Sequence, residues 1–156
     1  MQMIRLRLFH SASAVMGPRT IDKIGVIGAG QMGVGIAQVA ANIAKKSVII
    51  LDANQSQLSK GLKFIDVLLQ KDVLKGKITD EEKDEAKSRI KTTTNIKEFS
   101  DVDLVVEAVS ESIGLKLELF QNLDKITPKD AILASNTSSI SITKIAAATK
   151  RPSQVC

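Results

Sequence analysis

An α/β fold built on a doubly wound parallel sheet is predicted by three features of the chain. Short β-branched runs alternate with segments of helical period (KIGVIG, QMGVGIAQVAANIA, SVIIL, QLSKGLKFIDVLLQ), the strand and helix order of parallel α/β units. The runs at 24–27, 48–51, 104–106 and 132–134 are nearly all apolar, as strands are when helices cover both faces of their sheet. With 156 residues, 44% hydrophobic and 25% charged, the chain can enclose one core but not two full domains.

Residues 1–20, MQMIRLRLFHSASAVMGPRT, carry Arg5, Arg7 and Arg19, several hydroxyl side chains and no acid. That is the composition of a mitochondrial transit peptide, and a helix there sets Ile4 and Leu8 on one face. Arg5 and Arg7 interrupt the apolar stretch that a secretory signal needs. The expected location is the mitochondrial matrix, the folded domain is expected to span 21–156, and a tail without purpose is the open alternative. His10 falls in this segment and is read as exposed or removed with it.

The same three arginines supply much of the net charge of +5. With four Phe and no Trp or Tyr, no aromatic platform for single strands can be built, so nucleic-acid binding is not expected. No apolar run reaches the roughly 18–20 residues of a membrane helix, so no membrane association is expected either. The single cysteine, Cys156, gives neither a disulfide framework nor a metal-ligand pair, and no metal is expected.

The first strand, 23–27, runs directly into Gly28-Ala29-Gly30-Gln31-Met32-Gly33 and a helix over 34–44. A GxGxxG in that context is a dinucleotide fingerprint. Gly28 makes the tight turn, Gly30 lets backbone approach a pyrophosphate, and Gly33 lets helix and strand pack closely. The helix N-terminus offers free N–H groups and partial positive charge to the phosphates.

The second strand ends at Asp52, nineteen residues beyond Gly33, where a carboxylate can accept both hydroxyls of an adenosine ribose. A 2′-phosphate would be repelled there, and no Arg follows in Ala53-Asn54-Gln55-Ser56 to receive one. The pattern therefore predicts a Rossmann-type domain whose cofactor is NAD and not NADP. Read by itself, Asp52 also fits a residue capping the next helix. S-adenosylmethionine and flavin binders share the architecture, so the fingerprint specifies a nucleotide and not a reaction.

Between 69 and 90 the composition turns charged. Thr79 to Glu82 reads as a capping box that starts a helix over EEKDEAKSRI, so a helical hairpin insert is expected to project from the sheet with 80–85 solvated.

Beyond the fingerprint, VIGAGQMGVGIAQVAA, DLVVEAVSESIGLKLELFQNLDKI and ILASNTSSISITKIAAATKRP resemble successive blocks of the 3-hydroxyacyl-CoA dehydrogenases, covering most of 22–155. The ASNTSS block, 134–139, is the most specific of them. The resemblance implies oxidation of an L-3-hydroxyacyl-CoA to the 3-ketoacyl-CoA in fatty acid β-oxidation, with hydride passing to NAD and a His taking the hydroxyl proton. It implies that Ser138 meets the substrate's 3-hydroxyl or keto oxygen and that Asn136 shapes the loop beside the nicotinamide. Glu111 and Lys116 match positions lining the cofactor site, Glu107 ranks below Glu111, and Lys71 and Lys75 resemble lysines that meet the coenzyme A phosphates.

On residue chemistry alone, the serines and Thr137 also fit turn and cap residues, and Glu111 and Lys116 a surface pair around a helix start. One departure from the family is Lys45-Lys46-Ser47, where relatives usually end the first helix with Gly. The family's catalytic His falls just past Cys156, followed by a helical dimerisation domain that is also absent. The chain is therefore expected to be the NAD-binding part of a dehydrogenase, with little activity alone and with an exposed sheet edge. A stand-alone NAD-binding regulatory or scaffolding module is the alternative.

Overall fold

The structure, a computed structural model, describes residues 20–156, so all but the last residue of the segment read as a transit peptide, His10 included, lies outside the described residues. Ten elements follow in order: β1 (Lys23–Ile27), α1 (Gln31–Asn42), β2 (Ser47–Leu51), α2 (Gln55–Leu74), α3 (Asp80–Ser88), β3 (Ile90–Thr93), β4 (Leu104–Glu107), α4 (Ile113–Ile126), β5 (Ile132–Ser135) and α5 (Ile142–Ala146). Single 3₁₀ turns lie at Ile96–Phe99 and Pro152–Gln154.

The five strands form one parallel sheet in the order β3-β2-β1-β4-β5. Strand order reverses at β1, which makes the crevice between the carboxyl ends of β1 and β4 the topological switch point.

Alternation along each strand divides the core into two layers. Ile24, Val26, Val48 and Ile50 face α1, α2 and α3, packing against Val34, Ala37, Leu58, Ile65 and Ala86. Ile27, Ile49, Val105 and Leu133 face α4 and α5, packing against Phe99, Phe120, Leu123 and Ile145. Phe99 fits only because Gly25 has no side chain, since a Cβ there would lie 2.5 Å from its ring.

Three local expectations change. The helix expected over 34–44 begins three residues earlier and stops at Asn42. The helix expected to run through Ile90 stops at Ser88, and Ile90–Thr93 becomes a strand parallel to β2. The helical hairpin does not project freely. Its second helix packs on α1, α2 and β3, burying Ala86, and Lys83 Nζ donates to Gln70 Oε1 at 2.8 Å. The capping box is present, with Thr79 and Glu82 exchanging hydrogen bonds of 2.9 and 3.2 Å.

The edge also differs from expectation. Val155 bridges Leu133 in parallel, Cys156 N–H donates to the Leu133 carbonyl and Ser135 N–H to that of Cys156. The outer side of β5 is therefore paired at this point and is not a bare edge. On the opposite face an apolar groove of about 680 Å³ opens between α1, α2 and β4, lined by Met32, Ile36, Phe64, Leu68 and Val106 among others.

Candidate functional site

The turn between β1 and α1 is dictated by two glycines. Gly28 has φ +104, and a Cβ on it would lie 2.6 Å from the Ala108 carbonyl oxygen. A Cβ on Gly33 would lie 1.9 Å from the Gly28 carbonyl oxygen, so only Gly lets α1 sit this close to the turn.

Gly30 differs from both. It is exposed, nothing lies within 4 Å of where its Cβ would be, and its backbone is extended. The open space is outside the protein, where a ligand can approach. As the N-cap of α1, Gly30 supplies no side-chain acceptor, and the first turn has no acid. By contrast, α2 is capped by Asn54 and α3 by Thr79. The first N–H groups of α1 thus remain available, beside exposed Gln31 and Met32, and this donor set fits a pyrophosphate.

Asp52 stands at the end of β2, half-buried. Its Oδ2 accepts from Ala29 N–H at 2.9 Å and its Oδ1 from Asn54 N–H at 2.9 Å. The cap of α2 is Asn54, whose Oδ1 accepts from Ser56 N–H, so Asp52 is not the cap. Each carboxylate oxygen keeps a lone pair for a ribose hydroxyl. Phosphate donors and ribose acceptor are therefore joined by the Ala29 amide, and these residues fit NAD.

On the other side of β1, Glu107 is the charged end of an otherwise apolar strand and is fully buried. Its Oε1 accepts from Lys116 Nζ at 2.6 Å and from Val109 N–H at 2.7 Å, and its Oε2 accepts from Ser135 Oγ at 2.6 Å. This corrects the reading of Lys116 as the surface partner of Glu111. Lys116, on the first turn of α4, is buried and committed to Glu107. Glu107 joins more of the chain than Glu111 does, as a tie between elements inside the fold.

Glu111 is exposed and reaches the ASNTSS loop: its Oε2 accepts from Thr137 Oγ1 at 2.8 Å and from Ser139 Oγ at 3.5 Å. Thr137 Oγ1 in turn accepts from Ile140 N–H, and Asn136 N–H donates to the Glu107 carbonyl. Thr137 is thus a turn residue, while the first residue before α5, Ser141, makes no side-chain cap. Ser138 is exposed, with no side-chain hydrogen bond among the described residues. The structure brings Asn136, Ser138 and Glu111 together at the carboxyl ends of β4 and β5.

Lys71 and Lys75 are exposed at the far end of α2, about 24–30 Å along the helix from its start beside Asp52. They are not part of the cleft around the glycine turn. The Glu107–Lys116–Ser135 cluster was beyond sequence reasoning, apart from one signal, a carboxylate ending a buried strand.

Residues 23–156 match the family model described as 3-hydroxyacyl-CoA dehydrogenase, NAD binding domain. The chain is 45% identical over 136 residues to a 3-hydroxybutyryl-CoA dehydrogenase of Mycobacterium tuberculosis, covering 86% of this chain and 47% of that protein. It is 41% identical to the glyoxysomal fatty acid beta-oxidation multifunctional protein MFP-a of Brassica napus, covering 88% of this chain and 19% of the relative. Among solved structures, 3-hydroxybutyryl-CoA dehydrogenase from Escherichia coli superposes with a TM-score of 0.85 at 38% identity, covering 88% of this chain and 29% of that one. The chain spans about half the length of several of the curated relatives it matches.

Proposed function

Because the chain belongs to the 3-hydroxyacyl-CoA dehydrogenase NAD-binding domain family, we propose that it is the cofactor-binding half of an enzyme that oxidises L-3-hydroxyacyl-CoA esters to 3-ketoacyl-CoA in β-oxidation. The observation that carries this reading is the placement of the Asn136–Ser138 loop. It lies at the carboxyl end of β5, tied to Glu111, across β1 from Asp52. A ligand held at the glycine turn and at Asp52 has this loop on the far side of the switch point.

Each residue then has one task. Asp52 accepts the adenosine ribose hydroxyls and repels a 2′-phosphate. The open turn at Gly30 and the first N–H groups of α1 receive the pyrophosphate. The Ser138 hydroxyl, exposed and with no side-chain hydrogen bond among the described residues, is placed to hydrogen-bond the substrate's C3 oxygen. NAD, when bound, supplies the hydride acceptor. The groove beside Met32, Ile36, Phe64 and Leu68 suits an apolar acyl or pantetheine chain, and exposed Lys71 and Lys75, farther along α2 than Leu68, suit its phosphates.

The resemblance gives the proton to a His, and the only histidine of this sequence, His10, belongs to the N-terminal segment. General-base assistance contributes about 10²–10⁴-fold, so these 156 residues are expected to bind NAD and give little turnover. The test is to join the chain to the second half of the M. tuberculosis relative and follow NADH formation with L-3-hydroxybutyryl-CoA. Turnover by the joined protein, lost in Ser138→Ala, supports the reading. A joined protein that binds NADH yet oxidises no 3-hydroxyacyl-CoA contradicts it.

We also propose that residues 1–20 direct import into mitochondria, on their arginine-rich, acid-free composition. A fluorescent protein carrying this segment should co-localise with mitochondria and lose that location when Arg5 and Arg7 become Glu; uniform cytosolic signal from the unmodified fusion contradicts the proposal.

A further inference from the structure

Four stretches of chain meet at the Glu107 carboxylate: β4 itself, the loop that leaves it through Val109, the first turn of α4 through Lys116, and the end of β5 through Ser135. The Glu107 carbonyl adds a fourth tie, accepting from Asn136 N–H at 2.8 Å. The side chains of Lys116 and Glu107 are 1% and 0% exposed.

A buried ion pair is a poor source of stability, because desolvation cancels most of the attraction and an apolar pair would fill the same space. What an apolar pair cannot supply is direction. The Glu107 carboxylate aims one oxygen at the β4–α4 loop and the other at the β5 loop, and Lys116 satisfies the lone pair that remains beside Val109. Both loops stand at the carboxyl ends of strands on the side of the switch point opposite Asp52. A dinucleotide whose ribose meets Asp52 and whose pyrophosphate meets the Gly30 turn must lay its second nucleoside over β4 and β5.

We infer that Glu107 is a positioning residue for the nicotinamide half of NAD: through Val109, Lys116 and Ser135 it holds the 108–112 and 135–139 loops in the form that half requires, and it contributes nothing to the adenosine half. The inference rests on the NAD reading above and deepens it.

The experiment compares NADH with ADP-ribose, which keeps the ribose at Asp52 and the pyrophosphate but lacks the nicotinamide. Both are titrated into the full chain by calorimetry, with NADH emission recorded in parallel, for the wild type, Glu107→Gln and Ser135→Ala. Glu107→Gln is expected to weaken NADH by about tenfold or more and to remove the emission gain of bound nicotinamide. ADP-ribose affinity should stay within about twofold. Ser135→Ala cuts only the β5 tie and is expected to shift NADH in the same direction by a smaller factor. It carries the test alone if Glu107→Gln does not fold. A folded variant that weakens both ligands equally, or neither, overturns the inference. A wild type that binds neither ligand overturns the NAD reading and this inference with it.

Discussion

Asp52 Oδ2 accepts the Ala29 N–H at 2.9 Å, so the carboxylate proposed to meet the ribose also clamps the glycine turn proposed to meet the phosphates. Two substitutions separate the roles. Asp52→Ala removes both and is expected to weaken NADH by about 10–100-fold, the worth of charge-assisted hydrogen bonds, and to speed exchange of the Ala29 amide. Asp52→Asn keeps an acceptor for Ala29 but loses the charge. Its Ala29 amide should stay protected while the preference for NADH over NADPH narrows.

The glycine turn predicts a contrast between neighbours. Gly30→Ala places a methyl in open space on extended backbone, so stability should change by less than about 1 kcal/mol, yet NADH should bind about tenfold or more weakly. Gly33→Ala drives a methyl to 1.9 Å from the Gly28 carbonyl and should lose both NADH binding and about 2 kcal/mol or more of stability. Urea unfolding and NADH titration of the two variants check this.

Lys45 has φ +56, the one left-handed residue other than glycine among the described residues, and it lies in the turn between α1 and β2. The Lys46 N–H reaches back across this turn to the Ala40 carbonyl at 2.9 Å. Lys45→Gly removes the Cβ conflict and is expected to stabilise the domain by about 1 kcal/mol, read as a higher urea midpoint with NADH affinity unchanged.

Arg151 locks the last turns to α4, with Nε donating to Asp124 Oδ1 at 2.8 Å and further N–H groups donating to the carbonyls of Asp124, Thr127 and Pro128. Burial alone pushes the Asp124 carboxyl up. The hydrogen bond from Arg151, the Lys150 N–H and the charges of both residues outweigh it and hold the group below its usual value. A carboxyl lowered in the folded state contributes stability above its unfolded pKa of about 3.9 and loses it as pH falls through the folded value. Asp124→Asn should therefore cost about 1–3 kcal/mol at pH 7, and the gap to the wild type should close below about pH 4 in urea titrations.

The fold was legible wherever pattern and chemistry agreed. Apolar runs at β1, β2, β4 and β5, and GxGxxG followed by Asp52, left little freedom. Strand β3 was not legible: Ile90-Lys91-Thr92-Thr93 is short, half polar, and continuous with a charged helix, so only its pairing with β2 defines it. Residue chemistry left Lys116 open to a surface pair with Glu111, because helical spacing cannot show that a carboxylate nine positions away lies buried beside it. Ser135 joins the same carboxylate across 28 positions, a contact that only the closed sheet creates.

The most direct test of the central claim is titration of the full chain with NADH and with NADPH, followed by nicotinamide fluorescence. Saturable NADH binding, at least about tenfold tighter than NADPH, is the result expected if Asp52 takes the proposed place at the ribose with no arginine beside it. A folded chain that binds neither nucleotide, or prefers NADPH, contradicts it.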